Sequence, residues 1–237
     1  TSVQTHKPRI TLKDIARNVG VHPSTVSRVL NPDTRKMVTK RIADRVIHAS
    51  EQLGYRPNTF AQGLRTNRSY TVGVMVPDLT NPAFGPIIKG IDNVLEQSGY
   101  SVIVANTDNV LEKEKRSVDK FHERQVDGLI IATARRLDDV VTTCLEEGTP
   151  FVLAVRSTIK KGVNSVVSDE IVGGQMIVSH LAQLGHKKIA YVAGPQFLST
   201  GFERYQGYLQ GLKNAGLELD EDLVAIGDAF TEAEGRQ

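Results

Sequence analysis

From residue 70 onward, short β-branched apolar runs alternate with stretches of helical periodicity, and few folds accept that pattern. Tyr70–Val76, Tyr100–Ala105, Gly128–Ala132, Phe151–Val155, Ser165–Ser168, Ile189–Ala193 and Leu223–Ile226 read as buried strands. Between them, Phe84–Gln97, Leu111–Arg124, Asp138–Glu147, Val172–Leu184 and Glu203–Asn214 read as amphipathic helices. Strands that alternate with helices specify a parallel sheet covered on both faces, the α/β class. Ligands of such sheets sit beyond the carboxyl ends of the strands. The loops to watch are therefore Asp78–Phe84, Asn106–Asn109, Thr133–Arg136, Arg156–Thr158 and Gly194–Arg204.

The first 69 residues follow another rule. They carry 13 Lys and Arg against 4 Asp and Glu, whereas residues 70–237 carry 16 against 23, so a head of +9 and a body of −7 lie behind a net charge of +2. A basic head suits a polyanion, but a solvated basic tail gives the same count. Patterning separates the two. Thr11 precedes a helix with Leu12, Ile15, Ala16 and Val19 on one face, Asp14 completes a near capping box, and Gly20 suits the left-handed residue that ends it. Pro23 opens a second helix with Val26, Val29 and Leu30 inward and Ser24, Thr25, Ser27 and Arg28 outward. After a turn at Asn31-Pro32-Asp33, Thr39 caps a third helix with Ile42, Val46, Ala49 and Leu53 inward, ended by Gly54. Two short helices on a tight glycine turn, braced by a third, form the helix-turn-helix plan, whose second helix offers its first residues to base edges in the major groove. Hydroxyls there reach phosphates or bases, and an arginine at position 28 suits guanine O6 and N7.

Other function classes find little support. No apolar run approaches the roughly 18 residues of a membrane span, and no apolar core of a secretory signal follows Lys7 and Arg9. The single cysteine, Cys144, excludes a disulfide framework and points to a reducing cytoplasm; with no base nearby it is no nucleophile. The loops hold no G-x-S-x-G elbow, Walker loop, G-x-G-x-x-G or H-E-x-x-H, and no cofactor is implied. His180 and His186 are spaced wrongly for a metal, and adjacent Asp138 and Asp139 read as solvated.

The runs Ile10-Thr11-Leu12-Lys13-Asp14-Ile15-Ala16, Val19-Gly20-Val21, Ser24 to Asn31, Leu53 to Asn58 and Ala61 to Arg65 together resemble the N-terminal signature of the lactose-repressor (LacI/GalR) family, and the similarity continues through the body. The resemblance implies base reading by Pro23, Ser24 and Arg28 and phosphate contacts from Thr25, Ser27 and Asn31. It adds Thr11, Tyr55, Asn58 and Ala61 to the DNA-contacting set and makes Leu64 a wedge between base pairs in the minor groove. His22 stands where the family usually has a serine, which predicts a less well capped helix start. Residues 56–69 read as a linker whose short helix, weakened by Gly63, folds only on DNA.

For the body, the resemblance implies a two-lobed periplasmic-binding-protein-like architecture with an effector in the cleft. Phe84 and Phe230 match cleft aromatics, and Thr200 and Arg204 match donors to polar effector groups. Val155 replaces a frequent aspartate, which leaves Arg156 without a local carboxylate and turned toward an anionic or polar effector. Family members continue for several further strand–helix units, so the second lobe is expected to be incomplete here.

The sequence thus predicts a helix-turn-helix head (1–55), a hinge (56–69), a near lobe (70–158) and a partial far lobe (159–237). The expected function is repression of transcription by a homodimer or tetramer on pseudo-palindromic double-stranded operator DNA, modulated by a sugar, sugar phosphate or nucleobase-like effector. A transported-solute receptor would share the body but not the basic head, and a sugar-active enzyme would need a catalytic pair in the loops.

Overall fold

The computed structural model describes residues 10–55 and 68–236, so the hinge positions Asn58, Ala61 and Leu64 lie outside the described residues. Two compact units divide the chain, 1–65 and 66–237.

The first unit contains α1 (Leu12–Val19), α2 (Pro23–Leu30), a one-turn α3 (Pro32–Arg35) and α4 (Lys40–Gln52). The expected turn at Asn31-Pro32-Asp33 is therefore helical: the Thr34 and Arg35 amides both donate to the Asn31 carbonyl. The Asp14 carboxylate accepts from the Thr11 amide at 2.9 Å and its hydroxyl at 2.7 Å, and these bonds hold the Asp14 carboxyl below its ordinary range. Gly20, at φ 72°, donates to the Ala16 carbonyl and turns the chain into α2. His22 does not weaken the start of α2 as expected. Its Nδ1 accepts the Ser24 amide at 3.2 Å, so the imidazole caps the helix in place of a serine hydroxyl. Thr39 holds the N-cap position of α4 but caps with its carbonyl and not its hydroxyl. Ile15, Val26, Val29 and Val46 are wholly buried in one cluster, each contributing about 1.5–3 kcal/mol of burial.

The second unit is built on five parallel strands in the order β2-β1-β3-β4-β5: β1 (Thr71–Val76), β2 (Ser101–Asn106), β3 (Gly128–Ile131), β4 (Phe151–Ala154) and β5 (Ser165–Val166). One face packs Val74, Val76 and Ala132 against α5 (Phe84–Gln97). The other packs Met75, Leu129, Ile131 and Leu153 against α6 (Leu111–Glu123) and α7 (Asp139–Glu146). Strand β5 belongs to this sheet, so the sheet extends past residue 158, where the sequence placed the end of the near lobe. Asp138 is not solvated: it is buried, caps α7 by accepting the Val141 amide at 2.9 Å, and accepts the Arg135 amide at 2.7 Å.

A second, two-stranded parallel sheet pairs β6 (Tyr191–Ala193) with β7 (Val224–Ile226). Against it lie α8 (Glu170–Gln183) and α9 (Ser199–Asn214), joined through Val178, Tyr208 and Leu212. Helix α9 starts four residues before the expected Glu203, because Gly201 lets its first turn press against the Pro195 carbonyl, where a Cβ would lie 2.1 Å away. Among the described residues no helix is long and apolar enough to cross a membrane.

Candidate nucleic-acid interface and ligand cleft

Helix α2 buries Val26 and Val29 and leaves its opposite side outward. Ser24 and Arg28, one turn apart, are exposed, while Pro23, Thr25, Ser27 and Asn31 are half-buried beside them. The Ser24 hydroxyl sits 2.8 Å from His22 Nδ1. The three arginines around the helix differ. Arg35 Nε donates to the Val29 carbonyl at 2.8 Å and Arg45 Nη2 to the Val19 carbonyl at 2.7 Å, so each closes a helix end. Arg28 makes no side-chain hydrogen bond among the described residues and is exposed on the outer face. The Thr11 hydroxyl is engaged by Asp14, and Tyr55 packs at the edge of the head core.

In the second unit, the strand order reverses between β1 and β3, and the carboxyl edge of a parallel sheet at such a switch point is where ligands sit. Phe84, the first residue of α5, faces this region but is 6% exposed and packs on Val74, Val76 and Ala132. The loops after β2, β3 and β4 are tied by a buried polar cluster. Arg135 forks onto Glu114 at 2.7 and 3.2 Å and reaches the Asn109 carbonyl at 2.8 Å. Burial pushes the Glu114 carboxyl up despite this partner. Arg156, 4% exposed, donates through Nη1 to Asn109 Oδ1 at 2.9 Å and to the Thr133 carbonyl at 3.3 Å. Just before it, Val155 has φ 68°, a left-handed conformation that is strained for a β-branched residue, and the Arg156 amide turns back to the Ala154 carbonyl at 2.7 Å. Aspartate tolerates a positive φ better than valine does, a backbone argument that stands beside the chemical one made from the sequence.

The loops after β3 and β4 meet α9. Ser157 donates its amide to Ser199 Oγ at 2.8 Å, which brings the chain at Arg156 beside the buried first turn holding Thr200. Arg136 donates to the Phe197 carbonyl at 2.9 Å and lays its guanidinium 3.6 Å over the Phe202 ring. Arg204 is not a free donor: Nε and Nη2 grip Glu170 at 2.6 and 2.9 Å, the contact that chiefly raises its pKa. Phe230, 42% exposed, lies on Gly194 so closely that a Cβ there would meet the ring at 2.1 Å. The sequence pointed to these loops but did not single out Asn109, Thr133, Arg136 or Ser157. The consecutive Asp108 and Asn109, both at positive φ, were the available signal. Among the described residues no group of three or more His, Cys, Asp or Glu is arranged to hold a metal.

Comparison with known proteins follows the same division. Residues 11–58 match the bacterial regulatory proteins of the lacI family, and residues 69–234 match the periplasmic binding proteins and sugar binding domain of the LacI family. The HTH-type transcriptional regulator RegA of Clostridium saccharobutylicum is 35% identical over 218 residues, 91% of this chain and 64% of the relative. The HTH-type transcriptional repressor CytR of Escherichia coli K12 is 32% identical over 224 residues, 94% of this chain and 65% of the relative. The chain thus spans about 64% of the length of the curated relatives it matches. A solved structure of the Lac repressor dimer bound to operator and the anti-inducer ONPF superposes with a TM-score of 0.79 at 27% identity, over 96% of this chain and 68% of that one. A CelR–cellobiose complex gives 0.62 at 32% identity, over 96% and 68%. With both of its units matched, the chain belongs to the LacI family of bacterial regulatory proteins.

Proposed function

We propose that this chain regulates transcription, acting as a homodimer on a pseudo-palindromic operator. The observation that carries the reading is the outward face of α2, where Ser24 and an Arg28 with no side-chain hydrogen bond among the described residues stand one turn apart on a helix fixed by a Gly20 turn and a buried valine stripe. Such a helix seats its first residues against base edges, and two-fold symmetry in the protein is mirrored in two half-sites. Relatives named as repressors and a neighbour solved on its operator support the same direction. The linker at residues 56–69, with Asn58, Ala61 and Leu64, completes the DNA-contacting surface in this proposal.

A small-molecule effector occupies the crevice between the five-stranded sheet and α9, bordered by Phe84, Arg156, Thr200, Arg204 and Phe230. The cellobiose complex of a neighbour supports a carbohydrate class. An effector that prefers one arrangement of the two sheets changes the spacing of the paired linkers and so the operator affinity; one that binds both arrangements equally changes nothing. Selection of bound sequences from random DNA, with and without candidate saccharides, tests the proposal. A recovered two-fold motif whose yield responds to a saccharide supports it. Equal retention of all oligonucleotides, erased by salt, overturns it.

A further inference from the structure

Arg156 is the one buried cation among the described residues, and the protein leaves it half-satisfied. Its Nη1 has two neutral acceptors, Asn109 Oδ1 and the Thr133 carbonyl. Nε and Nη2 have no acceptor among the described residues, and neither is sealed from solvent. These two nitrogens form the side-on edge of the guanidinium, the fork that matches a carboxylate or phosphate. The same molecule shows that edge in use: Arg204 gives its own Nε and Nη2 to the two oxygens of Glu170.

Among the described residues no carboxylate plays this part for Arg156. Glu114, whose field reaches it, is committed to Arg135 by two bonds, and the Arg135 charge opposes the Arg156 charge. Burial pushes the Arg156 guanidinium down to about 10, the mark of a cation short of a partner. Thr133, whose carbonyl holds Nη1, carries the one fully buried side-chain polar atom without a partner among the described residues, its Oγ1. The cluster therefore lacks one negative group, at the carboxyl edge of the sheet where a parallel α/β fold takes its ligand. The left-handed Val155 supports this account, because strained backbone persists where it fixes a working side chain.

We propose that the effector carries one anionic group, a carboxylate or a phosphate, received by the Nε and Nη2 edge of Arg156. This rests on the effector-crevice reading above and adds the chemical class.

The test titrates the 237-residue chain and its Arg156→Met variant with neutral hexoses, their 6-phosphates, the matching hexuronates and inorganic phosphate, by calorimetry and thermal unfolding. An anionic sugar should bind the parent chain about tenfold to a hundredfold more tightly than its neutral counterpart, and Arg156→Met should abolish that advantage, bringing the two affinities together. Inorganic phosphate should raise the melting midpoint of the parent chain and not of the variant. Without ligand the variant should melt no lower than the parent, since it removes an uncompensated buried charge at similar volume. An unliganded variant that melts well below the parent assigns Arg156 to the scaffold and overturns the proposal, as does an anionic advantage that survives Arg156→Met. Neutral sugars that bind as tightly as anionic ones overturn the proposal and leave the effector crevice standing. Failure of every saccharide to bind removes both.

Discussion

One oxygen of Asp127, Oδ1, holds Ser69 twice, through the amide at 2.7 Å and the hydroxyl at 3.1 Å, while Oδ2 takes the Tyr70 amide at 3.0 Å. Here the chain arrives at β1, and Tyr70 does so in a left-handed conformation, φ 53°, that needs an anchor. The Asp127 amide in turn donates to the Thr71 carbonyl at 2.8 Å, so the lead into β1 and the lead into β3 form one clasp. In the proposed regulator the residues before Ser69 are the linker, and movement of the sheet reaches them through this carboxylate. Asp127→Ala should cost about 1–3 kcal/mol in urea unfolding, because amides held by a charged acceptor lose it. It should also shrink the ratio of operator affinities with and without effector. A lower stability with an unchanged ratio would assign Asp127 a purely structural part.

Helices α8 and α9 approach through glycines. A Cβ on Gly207 would lie 2.3 Å from the Ile171 carbonyl, and one on Gly174 would lie 2.8 Å from the Arg204 carbonyl. Gly173, one residue away from Gly174, faces open space. Gly207→Ala should therefore force the helices apart and cost about 1–3 kcal/mol. Gly173→Ala, in the same helix pair, should stabilise by up to about 1 kcal/mol through helix propensity alone. Unfolding midpoints of the two variants should move in opposite directions. Movement in the same direction would mean that close approach does not govern this pair.

The alternation that located the strands of the second unit is a pattern of side-chain period, which burial enforces in β1 and β3; β5 and β7, expected to be buried, are largely exposed. What escaped the sequence was set by single contacts. The early start of α9 depends on a glycine pressed against Pro195, and the imidazole cap on α2 depends on how one ring turns toward Ser24. Asp138 looked solvated because two adjacent aspartates point apart, yet one of them sits under the loop that Arg135 folds over it. The crevice was legible as loops, since topology alone puts ligands at the carboxyl edge. Its individual residues were not, because Arg204 and Arg156 look alike in sequence, and only the fold gives one of them a glutamate.

Cys144 offers a probe of opening in the five-stranded half. Its side chain is fully buried, and burial, with Glu147 and Asp138 adding, pushes the thiol up to about 11 from an ordinary 9.0. The folded value is the higher one, so the associated stability is complete below about pH 9 and is lost as pH rises through about 11. Near neutral pH a thiol reagent should label the chain only through its unfolded population, at a rate that climbs with urea in step with unfolding. Rapid labelling of the native chain would show that α7 opens locally.

Arg28 and Arg45 separate reading from scaffolding in the head. Both belong to its basic surface, but Arg45 Nη2 closes the carboxyl end of α1 on the Val19 carbonyl, while the Arg28 fork makes no hydrogen bond among the described residues. Arg28→Ala should leave the melting of the head unchanged and cost about 1–3 kcal/mol on the selected operator, with base preference relaxed at one position of each half-site. Arg45→Ala should lower the stability of the head by about 1–2 kcal/mol, and its effect on binding should be uniform across operator sequences. Competition between the selected operator and single-base variants, run for both proteins at one salt concentration, measures the difference. A preference profile left intact by Arg28→Ala would place base reading elsewhere on α2, with Ser24 the next residue to substitute.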